Sequence, residues 1–250
     1  MMKKFAGVVL AGGKGSRYEE NKRKLLIEYQ GKPLIVRVIE AIKPLVEKIV
    51  VVTGIENSEI KQVLKSFSSI EYAIQQQPLG TGHALLCTDY LFEKTQTTIL
   101  VSYADKPLIT TKTLKNLIDS HIKNNADITV ATAILVNPGS KGRIIRINGR
   151  FSKVVEAKDA DEEILKINEV NAGFIVCESD SIYRELRKVT NNNAAGEYYL
   201  TDVYAVYLKD GLKVNLVEIP PEESCDINTV EEFEEIEKWI KAAKKQSSQM

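Results

Sequence analysis

Two hydrophobic rhythms alternate along the first half of the chain. Short, nearly continuous apolar runs rich in β-branched residues occupy Phe5–Leu10, Lys48–Thr53, Ile70–Ile74 and Thr98–Ser102. That is the pattern of strands buried on both faces. Between them, segments with helical spacing lie near Leu34–Lys43, Ser58–Lys65, Thr81–Leu91 and Thr111–Asn124, which predicts helices with one buried stripe. Alternation of this kind builds an α/β fold around a mainly parallel sheet covered on both faces. In such sheets ligands bind beyond the carboxyl ends of the strands.

The second half is more mixed. Asp127–Val136 predicts a strand, and Arg143–Ile147 and Phe151–Glu156 flank Asn148-Gly149, a strong hairpin signal. Val170–Val176 predicts another buried strand, followed by helices at Ser181–Val189 and Leu200–Leu208 and a strand at Lys213–Val217. A last helix is expected from about Val230 to Lys245, with a polar, frayed end beyond it. No repeat or linker divides the chain. The expectation is one domain over residues 1–245 with an inserted β-hairpin lobe, and a tail at 246–250.

Composition narrows the partners. An apolar content of 44% supplies a core, and 34 Lys+Arg balance 34 Asp+Glu. A chain without net charge lacks the basic excess of a nucleic-acid binder, so its local basic clusters serve something small. Cys87, Cys177 and Cys225 are far apart and odd in number, which gives neither a disulfide framework nor a zinc site and fits a reducing cytosol. Met1 to Ala11 faintly mimics a signal peptide, but its apolar run is short and carries the first strand. No stretch approaches transmembrane length. A soluble cytoplasmic protein with no membrane partner is expected.

The first strand opens into Leu10-Ala-Gly-Gly-Lys-Gly-Ser-Arg17, followed by Lys22-Arg23-Lys24. Gly12, Gly13 and Gly15 let the backbone turn sharply and bring N–H groups close to phosphate oxygens. Lys14, Arg17 and Lys24 add positive charge. The loop is not a P-loop, and a G-x-G-x-x-G fingerprint starting at Gly13 fails at Tyr18. The alternative is an ordinary tight turn with solvated lysines.

Asp105 follows a buried strand and faces this loop in the topology. A carboxylate there suits Mg²⁺, which takes one or two protein carboxylates plus substrate phosphates; otherwise Asp105 caps the next turn or pairs with Lys106. Asp226 and Asn228 offer oxygen to a metal and equally cap the last helix. Gln75, Gly80 and Thr81 lie in a segment able to read a planar base, against the alternative of a loop before a Thr-capped helix. Glu156 with Lys158 reads as a surface ion pair, and packing or solvent exposure is the default for His83 and His121.

Together these pieces resemble a family: the uridyltransferase (pyrophosphorylase) domain of bacterial bifunctional N-acetylglucosamine-1-phosphate uridyltransferases. The densest match is Thr190-Asn-Asn-Asn-Ala-Ala-Gly-Glu-Tyr-Tyr-Leu-Thr-Asp202. Leu79-Gly-Thr-Gly-His83 with Gln75, Gly142-Arg143-Ile144, Val155-Glu-Ala-Lys-Asp159 and Val170-Asn-Ala-Gly173 support it, over Val8 to about Asn228. The resemblance implies a nucleotide-diphospho-sugar transferase fold, a Rossmann-like three-layer sandwich with a mainly parallel mixed sheet. Residues 1–125 would bind nucleotide and 126–230 the sugar phosphate. Leu10, Ala11, Gly12 and Gly13, with Gln75, Gly80 and Thr81, would hold uridine, and Arg17 and Lys24 the triphosphate. Asp105 and Asn228 would hold Mg²⁺. Tyr103, Gly142, Glu156 and Asn171 would contact the amino-sugar phosphate, with Tyr198 and Thr201 lining the same pocket.

The implied reaction condenses UTP with N-acetylglucosamine 1-phosphate to UDP-N-acetylglucosamine and pyrophosphate. Another sugar 1-phosphate, dTTP, or a non-catalytic sugar-nucleotide-binding protein are the alternatives. Departures from the family's usual residues are Ser16, Tyr18 and Arg23 (for Thr, Met and Pro), Ala104 (for Gly), Lys141 (for Tyr) and Asp226 (for Gly). They bear on base and sugar choice more than on reaction type, and whether Asp226 joins the metal site or takes over from Asn228 stays open. The hexapeptide repeats of an acetyltransferase β-helix do not occur in the sequence, so acetyl transfer is not expected and the oligomeric state stays open.

Overall fold

The computed structural model describes residues 4–12, 24–29, 31–93, 96–227, 229, 231, 232, 234, 236 and 238. The first half runs β1 (Lys4–Leu10), β2 (Glu28–Tyr29), β3 (Lys32–Pro33), α1 (Leu34–Ile42), β4 (Lys48–Thr53), α2 (Ser58–Leu64), β5 (Ile70–Ile74), α3 (Thr81–Leu86), β6 (Thr97–Tyr103) and α4 (Thr111–Lys123). Then come β7 (Ile128–Ile134), β8 (Arg143–Ile147), β9 (Arg150–Val155), α5 (Glu162–Leu165), β10 (Glu169–Glu178), α6 (Ser179–Leu186), α7 (Val203–Lys209) and β11 (Val214–Glu218).

The main sheet has the order β11-β7-β10-β6-β1-β4-β5. All neighbours are parallel except β10, which is antiparallel to both β6 and β7. This is a Rossmann-like α/β sandwich. The continuous apolar strands follow from burial on two sides. Val8 and Leu10 face a cluster with Tyr204 and Tyr207, whereas Val9 faces Ile35, Ile39, Leu114 and Leu117. The expected hairpin lobe is β8–β9, turned at Asn148 and Gly149 with positive φ of 51° and 77° and attached to β10 at Arg143–Val170.

Two expected helices are broken. Thr81–Leu91 ends as α-helix at Leu86 and resumes as a 3₁₀ turn over Asp89–Leu91. There the Thr88 hydroxyl donates back to the Leu85 carbonyl at 2.7 Å, a local bond that competes with helix continuation. Leu200–Leu208 begins as a 3₁₀ turn over Leu200–Asp202, whose first N–H, that of Leu200, is donated to Thr81 Oγ1 at 3.1 Å. The ribbon of β2 and β3 was not legible, being too short to alternate. Of the last expected helix, residues 231, 232, 234, 236 and 238 are helical, and the rest lies outside the described residues. Among the described residues no helix is long and apolar enough to cross a membrane.

From β1 the chain builds outward in two directions, to β4 and β5 on one side and to β6 on the other. Such a switch point opens a crevice at the strands' carboxyl ends. Leu10 and Tyr103 are in register there.

Candidate functional site

A cleft of about 740 Å³ occupies that crevice. Leu10, Ala11 and Gly12 line it from the end of β1, Gln75 and Thr81 from the β5–α3 connection, and Tyr103 and Asp105 from the end of β6, with Lys24 on its rim. Its floor is fixed by main-chain bonds that prolong the sheet. Ala11 donates to the Val52 carbonyl at 2.8 Å, Gln75 to Thr53 at 2.8 Å, and Ala104 to Leu10 at 3.1 Å.

Gln75 is buried, and its amide is oriented by its neighbours. Nε2 donates to the Gly80 carbonyl at 3.0 Å and lies 3.0 Å from His83 Nδ1. The amide N–H groups are thereby directed at protein acceptors, while Oε1 stands beside Gly12, where a Cβ would come within 2.9 Å of it. The open edge of Gln75 is an acceptor. His83, for which packing or solvent exposure was the default although its segment belongs to the resemblance, is thus a residue that supports Gln75. The motif joins Gln75 and His83 in sequence, but their contact is visible only in the fold. His121 is buried, one of the two alternatives, between Thr129 Oγ1 and Glu178 Oε1 at 3.1 and 3.0 Å.

Gly80 has φ 110°, a conformation essentially reserved to glycine. Its turn is seamed to the 190–202 loop: Tyr198 N donates to Leu79 O, and Gly82 N to Tyr198 O, both at 2.8 Å. That long polar loop is a tie between halves of the site rather than a packing element. The structure places Tyr198 differently from the sequence expectation. Its main chain seals the Gly80 turn, and it lines a separate 300 Å³ cavity with Leu79, His83 and Leu186.

Lys24 Nζ donates to Asp105 Oδ2 at 2.6 Å. Asp105 therefore pairs across the cleft, not with its neighbour Lys106. Its side chain is 27% exposed, and Asp226 contributes no free carboxylate beside it, since Lys106 and Lys141 occupy both its oxygens. Asp226, left open as a further metal ligand, is held by two lysines in this structure. No cluster of three or more His, Cys, Asp or Glu able to hold a metal occurs among the described residues. A single hard carboxylate facing a phosphate-sized cleft fits a cation that takes its remaining ligands from substrate phosphates and water, as Mg²⁺ does. Arg17, Gly13 and Asn228 lie outside the described residues.

The remaining expected residues form one cluster across the β8–β9 hairpin. The Thr201 hydroxyl donates to Glu156 Oε1 at 2.7 Å, so Glu156 is bonded to Thr201 rather than to Lys158. Asn171 N donates to the Gly142 carbonyl at 2.9 Å, and a Cβ on Gly142 would lie 3.1 Å from Glu156 Oε1. Tyr103 joins this cluster to the cleft through a bond with Thr81, and burial pushes its hydroxyl well above the usual range.

Burial also raises the Glu156 carboxyl, with Asp202 and Asp159 adding to the effect and Thr201 and Arg143 opposing it. A raised folded-state value means that Glu156 contributes stability below about 4.5, its ordinary value, and loses it as pH rises through the folded value. Glu156→Gln mimics the protonated state. It should therefore melt at a higher temperature than wild type at neutral pH, with the gain vanishing below about 4.5. Thermal melts across pH check this, and a gain independent of pH would refute the linkage.

The family model of MobA-like NTP transferase domains matches residues 7–146. The chain is 37% identical over 238 residues to the bifunctional protein GlmU of Clostridium novyi (strain NT), covering 94% of this chain and 52% of that protein. It is 39% identical over 245 residues to the bifunctional protein GlmU of Geobacillus sp. (strain WCH70), covering 96% and 52%. The chain thus spans about half the length of the curated relatives it matches. In structure it is similar to a UDP-glucose pyrophosphorylase complexed with UDP-glucose, at a TM-score of 0.77 and 20% identity, covering 97% of this chain and 100% of that one. At that identity the likeness concerns the fold.

Proposed function

The chain belongs to the family of MobA-like NTP transferase domains, and from that membership we propose that it is a sugar-1-phosphate nucleotidyltransferase. Its substrates on this reading are UTP and N-acetylglucosamine 1-phosphate, its products UDP-N-acetylglucosamine and pyrophosphate. The similarity to two GlmU proteins over more than nine-tenths of this chain supports that choice. One observation carries it: the Lys24–Asp105 pair at 2.6 Å, on the rim of a cleft whose other wall is the Gln75–Thr81 segment.

The chemistry asks little of proton transfer. A sugar phosphate is largely dianionic at neutral pH, with a second pKa of about 6, so it is already a nucleophile. The site must place two anions together and stabilise charge on the α-phosphate and the leaving pyrophosphate. Lys24 would bind the triphosphate, with Arg17 assigned the same role by resemblance. The Oε1 acceptor of Gln75 suits the imide N–H of uracil or thymine over the unprotonated N3 of cytosine. Glu156, Asn171, Gly142 and Thr201 would orient the sugar hydroxyls. Mg²⁺, held by Asp105 and substrate oxygens with Asn228 assigned by resemblance, would supply further neutralisation of phosphate charge.

Pyrophosphate release from UTP, N-acetylglucosamine 1-phosphate and Mg²⁺ tests the proposal, and robust turnover is expected. Release only with another sugar 1-phosphate or with dTTP would keep the reaction and replace the substrate. No release across the panel, together with tight UDP-sugar binding, would make the protein a binding module.

A further inference from the structure

Three charged side chains next to Asp105 have no task in the reaction as described. Lys106 is only 4% exposed. Its ammonium is bonded to one carboxylate oxygen of Asp226 and donates to the Ser224 carbonyl at 3.0 Å. Lys141, in the turn before β8, donates to the other Asp226 oxygen at 2.5 Å and to the same carbonyl at 2.9 Å. The next residue, Ile227, donates its N–H to the Asp105 carbonyl at 3.0 Å. One carboxylate and one carbonyl therefore gather two ammonium groups, and the residue after Asp226 ties this junction to the main chain of Asp105.

The fold makes room for this junction. β10 carries a register shift between Asn171 and Ile175, and within it Gly173 has φ 84°. A Cβ there would lie 2.4 Å from Lys106 Cε and 2.8 Å from Tyr103 Cδ2. A buried ammonium persists only if it is paired, and two of them side by side need a fully ionised Asp226. Lys141 and Asp226 are also two of the positions where the chain departs from the pattern it resembles. The structure joins those two departures in a single ion pair.

We propose that Asp226 is a positioning residue rather than a metal ligand: with Lys106 and Lys141 it forms a clamp that fixes the Asp105 segment for the divalent cation. The inference rests on the nucleotidyltransferase reading. Partners that orient metal ligands from behind typically change metal affinity by 10–100-fold when removed.

The test is Mn²⁺ titration followed by electron paramagnetic resonance, with UDP-N-acetylglucosamine present. Circular dichroism confirms that each variant is folded. Asp226→Asn and Lys141→Met should each weaken Mn²⁺ binding about tenfold. Their double variant should be no weaker than the worse single one, because the groups act as a unit. Lys141→Arg, which keeps the ion pair, should restore affinity. If Asp226→Asn does not fold, the contrast between Lys141→Met and Lys141→Arg decides. Tighter binding in Lys141→Met would make Asp226 a ligand released from its lysine and overturn the clamp. Wild-type affinity in both single variants would overturn it as well. Absence of Mn²⁺ binding by the wild type with this nucleotide sugar and with every nucleotide of the turnover panel would remove the nucleotidyltransferase reading itself, and this inference with it.

Discussion

Lys24→Ala is expected to lower the rate of pyrophosphate release about 10²–10³-fold, the loss seen when one preorganised donor is taken from a charged transition state. Lys24 is 21% exposed and Asp105 27%, so their ion pair adds little to stability, about 1 kcal/mol or less. The melting temperature should therefore hardly move while kcat falls. A second readout separates a catalytic lysine from one that merely occupies Asp105. Removing Lys24 frees Oδ2, so the concentration of Mg²⁺ needed for half-maximal residual activity should fall. Turnover and Mg²⁺ dependence measured side by side check both. Activity within fivefold of wild type would take Lys24 out of the reaction.

Gly80→Ala should raise the KM for nucleotide at least tenfold, which corresponds to about 1.4 kcal/mol, and should also destabilise the fold. At φ 110° any other residue is strained, by about 1–3 kcal/mol. Space is lacking as well: the methyl would lie 2.6 Å from Tyr198 O and 2.8 Å from Tyr198 N, both main-chain atoms. To relieve the contact, the seam between the 79–82 turn and the 190–202 loop must open, and the acceptor that orients Gln75 moves with it. Gly211→Ala is the control, because Gly211 has φ 73° with nothing within 4 Å of an added Cβ. Both variants should lose stability, but only Gly80→Ala should lose nucleotide affinity. Equal KM values for the two would show that the turn does not shape the base pocket.

The parts of the fold that were legible were those with a strong period. Lys48–Thr53 and Ile70–Ile74 were placed to the residue, the first from an apolar run buried from Ile49 onward, the second although it is an edge strand with Glu71 and Ile74 exposed. Helix ends were harder, since single side-chain bonds such as that from Thr88 to Leu85 decide where a helix stops. The antiparallel setting of β10 was not legible at all. It depends on where the chain goes after β7, not on the apolar run itself. Around the cleft, expected residues from dense motifs lie together, whereas residues that hold them from elsewhere were not expected. His83 orients Gln75, and Lys106 meets Asp226 across 120 positions. The first lies within a motif but its bond is not readable from it, and the second has no trace in local sequence.

That long separation bears on how the protein is made. β1, β4, β5 and β6 are complete by Tyr103 and can assemble early, since domains fold as their chain emerges during synthesis. Lys106 emerges with them, yet its counter-charge arrives only when Asp226 has been translated. Until then the growing chain carries an unpaired ammonium where a buried one is needed, and the Asp105 junction cannot close. The β1–β6 side of the cleft can take shape before residues 224–227 are made, and their contacts with Lys106 and Asp105 can form only afterwards.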